Sequence, residues 1–357
     1  MSTDKLTTNE RMRCVFEHKD PDRIPVYDSP WATTIARWRN EGMPKDTTPA
    51  IFFGLDKVFN FTVNNSPRFD AKVVEETPEY IIKTTNWGAT IKNWKHATST
   101  PEYIDNIIKT PDEWLKAKAR MIFSDDRIPW GTIDKNYKLW REQGAWIQAY
   151  GWFGFDVTHS HMVGTERLLI AIVEQPEWVM DIFNTCVDLN LQLLDRVWEK
   201  GYRFDSLFFP DDMGYKLNQF FSVKTYREIL KPVHKKAFEW AHKKGIKAHL
   251  HSCGCITPFI PELIDIGLDA LNPLEVKSGI DPVDIKQRYG DKLVLHGGIS
   301  ALLWNNRDEM AAEMKRIIPL LKKGSGYIWS TDHSVPDNVS LEDFRFMVNL
   351  AKELGSY

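Results

Sequence analysis

His251 and Cys253 place an imidazole and a thiol two residues apart, at the end of the run Ile246-Lys247-Ala248-His249-Leu250. Alternate residues of an extended strand share a face. Ile246, Ala248 and Leu250 therefore meet one layer, and His249, His251 and Cys253 the other. Neighbouring nitrogen and sulfur donors make half of a tetrahedral zinc site. Four further apolar runs end in residues that can do chemistry: 204–209 in Pro210-Asp211-Asp212, 268–274 in Glu275, 292–296 in His296-Gly297-Gly298, and 327–331 in Asp332-His333. His333, Glu275 and His296 are the candidates to complete a metal shell, with one position left open or surrendered to substrate. Asp211 and Asp212 read either as turn and cap residues or as groups that support or contact substrate. Cys255 falls two residues farther into a glycine-flanked loop and reads as a loop residue. His159 and His161 follow a strand, as rim groups or as a solvated loop.

The elements that must position these groups are legible from periodicity. Strands are expected at 24–27, 146–150, 204–209, 246–251, 268–274, 292–296 and 327–331, with long amphipathic helices over 177–200 and 223–243. Such alternation implies parallel strands joined by crossover helices. Seven strands, with an eighth expected in the poorly patterned first half, favour a (β/α)8 barrel of the TIM type, whose functional groups close the C-terminal ends of the strands. Thr7 and Glu10 form a capping-box pattern that opens a first helix running to Phe16. A helix is expected near 33–40, and alternation over 69–95 predicts antiparallel hairpins, a strand-rich excursion at about 65–100 within one domain spanning 1–357. Gly324-Ser325-Gly326 precedes a strand rather than a helix, so no dinucleotide-binding loop is expected.

Composition bounds the function. The chain has 357 residues, 43% hydrophobic and 27% charged, with 46 basic against 49 acidic side chains and a formal net charge of −3. This balance excludes disorder and argues against nucleic acid as a partner. No apolar run is long enough for a transmembrane helix. Four cysteines and no secretory leader suggest a cytoplasmic protein. The 14 tryptophans suggest a padded core or a pocket for flat ligands. Trp31, Trp87, Trp94, Trp152 and Trp329 are the candidates to stack on such a ligand, and Trp31, Trp152, His161 and Trp329 are the expected substrate contacts.

Asn9-Glu10-Arg11, Pro21-Asp22-Arg23-Ile24-Pro25-Val26, His251-Ser252-Cys253-Gly254, Asn272-Pro273-Leu274-Glu275, His296-Gly297-Gly298-Ile299 and Ser330-Thr331-Asp332-His333-Ser334-Val335-Pro336 together resemble the uroporphyrinogen decarboxylase superfamily over nearly the whole chain. The resemblance implies a (β/α)8 barrel. True decarboxylases carry an Arg-Gln-Ala-Gly-Arg segment after the first strand, where this sequence reads Asp28-Ser29-Pro30-Trp31-Ala32. The sequence is more similar to the cobalamin-dependent methyltransferase branch, whose zinc motif is His-x-Cys with a distant Cys. His251 and Cys253 match, and His333 falls at the distant Cys. Glu275 and His296 stand where the O-demethylase members are thought to place metal ligands. The resemblance thus implies a zinc-dependent methyltransferase that moves a methyl group from a methoxylated aromatic compound to the cobalt of cobalamin. The corrinoid would be carried by a partner protein, since no Asp-x-His-x-x-Gly cobalamin motif is present. Asp211, Asp212 and Glu275 are the expected catalytic carboxylates. Two alternatives accompany this reading: a methylcobalamin:thiol methyltransferase, and a decarboxylase of uroporphyrinogen decarboxylase type acting on a non-porphyrin acid. A homodimer is compatible with all three.

Overall fold

The computed structural model describes residues 4–96 and 100–357. In chain order its strands are β1 (Val58–Thr62), β2 (Val73–Glu76), β3 (Tyr80–Thr84), β4 (Ala89–Trp94), β5 (Glu102–Asn106), β6 (Trp146–Tyr150), β7 (Ser206–Pro210), β8 (Lys247–His251), β9 (Ala270–Asn272), β10 (Val294–His296) and β11 (Tyr327–Ile328). β1 and β6 to β11 form a parallel sheet in that order. Residues 24–27 join its two edges. The Tyr27 amide donates to the Trp329 carbonyl at 3.1 Å and the Trp329 amide to the Pro25 carbonyl at 2.9 Å, while on the other side the Asp56 amide donates to the Val26 carbonyl at 2.9 Å. This segment takes the eighth place and closes a (β/α)8 barrel.

The eighth strand left unplaced by the sequence pattern is β1. Its Phe59 and Phe61 turn outward, stacked on Trp140 and edge-on to Phe204 at 5.3 and 5.4 Å. Asn60 turns inward to line the barrel mouth. The strands expected at 268–274 and 327–331 are shorter, because their last residues leave the ladder to enter the rim loops, whereas the one expected at 204–209 is shifted to 206–210.

Inward and outward faces separate as alternation requires. Trp146, Ala270, Val294 and Ile328 point into the barrel floor and pack against Met12, Val15 and Phe16 of helix Thr8–Phe16. Phe16 stacks on Trp146 with ring centroids 5.2 Å apart. Helix Thr8–Phe16 opens with the expected capping box and is fixed by a buried ionic network. Arg11 reaches Asp22 at 2.8 Å and Asp56 at 2.5 Å, and Arg23 reaches Asp56 at 2.7 Å. The motif residues Arg11, Asp22 and Arg23 therefore hold the floor, far from the rim. Outward residues such as Leu207, Phe209, Ala248 and Leu250 fill the core beneath the helical layer.

The expected hairpins are present, extended by one strand: β2 to β5 make a four-stranded antiparallel sheet. β5 brings Tyr103 onto His161, ring centroids 5.1 Å apart, so this sheet reaches the side of the barrel mouth. Among the described residues no helix is long and apolar enough to cross a membrane.

Candidate metal centre

β8 and the loop after β7 meet at the rim. Among the described residues, Asp212, His251 and Cys253 are the His, Cys, Asp and Glu side chains whose donor atoms all lie within 4.8 Å of one another. His251 Nε2 is 3.4 Å from Cys253 Sγ and 3.8 Å from the Asp212 carboxylate. The Cys253 amide donates to Asp212 Oδ1 at 2.7 Å, which ties the two loops together. The third donor thus comes from Asp212, from a neighbouring strand end.

His251 is oriented from behind. Its Nδ1–H donates to Asn272 Oδ1 at 2.5 Å, because an amide oxygen can only accept, and the Asn272 amide group donates onward to the His296 carbonyl at 3.1 Å. That fixes the tautomer and leaves Nε2 free for a cation, the arrangement that metal-bound histidines use. Gly254, at φ +84°, lets the loop after Cys253 turn against Gly214; a Cβ there would lie 2.2 Å from the Gly214 carbonyl carbon.

The electrostatics favour a cation. Burial pushes the Asp212 carboxyl up to about 6, against the pull of His251 and with Asp156 adding to the rise. Burial also pushes the Cys253 thiol well up, and the Asp212 and Glu275 carboxylates add to it. Groups whose negative charge is disfavoured by burial and by each other are relieved by a bound divalent ion.

The other expected ligands are not brought into this group. Glu275 is occupied: its carboxylate accepts from the Gly254 amide at 2.6 Å and the Ser278 hydroxyl at 2.7 Å and meets Lys277 at 2.9 Å. Burial works against its charge, yet Lys277, Ser278 and Gly254 outweigh it and hold the carboxyl below its usual range. His296 sits deeper, its Nδ1 3.3 Å from His249 Nε2, with its Nε2 unpartnered. Burial keeps it neutral, down to about 3. His333 stands across the mouth, edge-on to Trp31 at 5.8 Å. His251, His296 and His333 nevertheless line one cavity of about 280 Å³, together with Tyr27, Asn60, Tyr150 and Phe208.

The two aspartates of Pro210-Asp211-Asp212 part company. Asp211 is fully buried and turns away from the mouth. It meets His234 Nε2 at 2.8 Å and accepts the Asp156 amide at 2.6 Å. Its carboxylate is thereby taken up by His234 and the Asp156 amide. Asp156, which sequence reasoning passed over, takes the Trp152 indole N–H at 2.7 Å and lies near enough to Asp212, Cys253, Tyr103 and Tyr150 to raise each of their pKa values. Trp152 packs edge-on to His161 at 4.6 Å and Trp87 at 5.9 Å. Burial lowers His161 to about 4. Trp94 stays partly exposed on β4. Trp329 is not at the mouth. It follows inward Ile328 and so turns outward, fully buried in the core beneath the helices. Cys255 is held in its loop by Gln219, which donates to its carbonyl at 2.6 Å. His159 and His161 lie on a single wide turn, Thr158–Met162.

Residues 157–354, more than half of the chain, match the family model for uroporphyrinogen decarboxylase. The chain belongs to the uroporphyrinogen decarboxylase family. The matched span includes β7 to β11 and every residue of the Asp212, His251 and Cys253 group, while the antiparallel sheet lies before it. A methyltransferase from Methanosarcina mazei shares the fold over 98% of this chain and 99% of its own, with a TM-score of 0.68 and 16% identity. The YdhT protein from Bacillus subtilis covers 91% of this chain and 84% of its own at 8% identity and a TM-score of 0.37. An intracellular xylanase from Thermoanaerobacterium saccharolyticum covers 61% and 75% at 12% identity and a TM-score of 0.32. Both are too distant to bear on function. No curated protein sequence matches.

Proposed function

We propose that this member of the uroporphyrinogen decarboxylase family is a zinc-dependent methyltransferase. It would move the methyl group of a methoxylated aromatic compound to the cob(I)alamin of a partner corrinoid protein. The observation that carries this reading is the trio of Asp212, His251 and Cys253, one oxygen, one nitrogen and one sulfur donor converging at the mouth of the barrel. That donor set suits Zn2+. Similarity to the Methanosarcina mazei methyltransferase supports the transferase class.

Asp212, His251 and Cys253 would hold the Zn2+, which would supply Lewis acidity toward an ether oxygen and ease its departure as a phenolate. The methyl acceptor has to be brought by a partner, because no side chain lining the cavity is a nucleophile able to attack a methyl ether. The chain's own residues hold and orient. Asn272 aims His251 Nε2, and the Cys253 amide keeps Asp212 on the same side. Glu275, taken up by Gly254, Ser278 and Lys277, and His333, across the mouth beside Trp31, lie outside the trio, so the fourth position would be left to substrate. Tyr27, Tyr150 and Phe208 offer flat walls to an aromatic ring, with Trp31 at the edge beside His333. Asp156, Trp152 and His161 border the mouth from the side of the antiparallel sheet, which supports reading the chain as one unit. Decarboxylation of a poly-acid is disfavoured, because no Arg or Lys is among the described residues lining the mouth cavity.

Elemental analysis of wild type, Asp212→Ala, His251→Ala, Cys253→Ala and His333→Ala tests the centre. One zinc per chain in wild type, lost in the first three variants, is expected; equal metal in all five refutes it. Methyl transfer from guaiacol to reduced cobalamin tests the reaction. Transfer from methylcobalamin to a thiol instead would favour the thiol branch, and CO2 release the decarboxylase.

A further inference from the structure

The cavity at the barrel mouth has aromatic walls and a one-sided charge. Tyr27 is tilted against His296 with ring centroids 5.7 Å apart, and Tyr150 against Phe208 at 5.8 Å. At about 280 Å³ the cavity lies at the small end of ligand pockets, which run to about 1,000 Å³, so it has room for one ring with short substituents. Among the described residues that line it, Asp28 is the one carboxylate, and no Lys or Arg faces it. Asp28 Oδ2 accepts the Thr331 amide at 2.9 Å and the Thr331 hydroxyl at 2.8 Å, and Oδ1 accepts the Ser29 amide at 2.8 Å. All three partners are neutral. Burial raises this carboxyl only to about 6, so it is charged at neutral pH.

The groups that could balance an incoming anion are committed elsewhere. Lys277, whose charge reaches Cys253 and His333, meets the Glu275 carboxylate at 2.9 Å and feels Asp332 as well. Of the three histidines in the lining, burial keeps His296 neutral, and burial with Lys277 pushes His333 below its ordinary value. His251 turns Nε2 toward the Asp212 carboxylate at 3.8 Å. A Zn2+ held by the trio would be met by one carboxylate and one thiolate, so the metal would add no net charge. A carboxylate brought into this cavity gives up water and meets like charge, and both effects oppose it. An uncharged ring keeps the gain from the flat walls.

We propose that the mouth cavity selects uncharged methoxyarenes and rejects those that carry a ring carboxylate, with Asp28 as the charge that decides. The inference rests on reading this cavity as the methoxyarene site, and it names the substrate class within that reading. Asp28 sets specificity through its charge and takes no part in the methyl transfer itself.

Vanillyl alcohol and vanillate are close in size and shape and differ by one negative charge at about pH 7.5. Calorimetric titration of the whole chain with each compound reads their affinities without turnover. The alcohol is expected to bind at least about tenfold more tightly than the acid. Asp28→Asn removes the opposing charge, and Ser29→Lys brings a cation to an exposed position of the same lining. Each should reduce the ratio at least about threefold. The ratio in Asp28→Asn decides, and should that buried variant fail to fold, Ser29→Lys decides in its place. A smaller ratio in wild type, an unmoved ratio in the deciding variant, or no binding of either compound overturns the proposal. Methyl transfer to reduced cobalamin, measured with both compounds, separates this inference from the reaction beneath it. The expected binding preference without transfer refutes the reaction and upholds the preference, whereas faster transfer from the acid upholds the reaction and overturns the preference.

Discussion

Gly154 and Asp211 are coupled so tightly that their substitutions must fail to add. Gly154 sits at φ +96°, and a Cβ built there would lie 2.2 Å from Asp211 Oδ2. Gly154→Ala therefore costs about 1–3 kcal/mol for the backbone conformation and about 1–3 kcal/mol more for the forced displacement. Asp211→Ala alone strands the part-buried Asp156 amide and the fully buried His234 Nε2, at about 2–5 kcal/mol together. In the double variant the carboxylate is gone and the steric part of the glycine cost disappears. The pair should then be less destabilised than the sum by about 1–3 kcal/mol. Urea unfolding of the four proteins, followed by tryptophan fluorescence and by circular dichroism, gives the cycle from midpoints at a common slope. Additivity within about 0.5 kcal/mol would refute the claimed contact.

Three further outcomes follow from other parts of the molecule. Asn272→Leu removes the acceptor that orients His251 and should weaken zinc affinity about ten- to hundredfold with little change in fold, read by chelator competition. Asp56→Ala strips Arg11 and Arg23 of a shared buried partner and should destabilise by about 3–5 kcal/mol in urea, with unchanged zinc content in the folded protein. Burial raises Asp28 to about 6, despite the Thr331 and Ser29 donors that oppose it. The folded state then binds a proton that the unfolded chain releases near pH 4. Wild type should lose stability relative to Asp28→Asn as pH rises from about 4 to 6, on the order of 3 kcal/mol in all. A difference between the two that is flat with pH contradicts the assignment.

Much of this architecture was legible in residue order, for reasons that differ by element. The crossover helices and β6 to β8 announce themselves because alternation and the 3.6-residue period are strong and long. β1 does not: Val58-Phe59-Asn60-Phe61-Thr62 is short, and its inward residue is a polar one that serves the cavity. In the candidate site, alternation correctly put His249, His251 and Cys253 on one face, and the same rule applied one residue further would have turned Trp329 outward. Asp212 could not be separated from Asp211 by pattern, since two adjacent aspartates at a strand end look alike until the loop fixes which one faces the mouth. Asp156 had no local signal at all. It matters through a bond from Asp211, 55 residues away in sequence.

The floor made by helix Thr8–Phe16 has a kinetic consequence. With Phe16 stacked on Trp146 and Met12 and Val15 sealed beside it, the end of the barrel opposite the mouth is plugged. Under the proposed reaction a small donor and a large partner would meet at the same mouth, so the donor would enter first and its demethylated product would wait until the partner leaves. Turnover would then be paced by uncapping, and excess partner should slow it by trapping product inside.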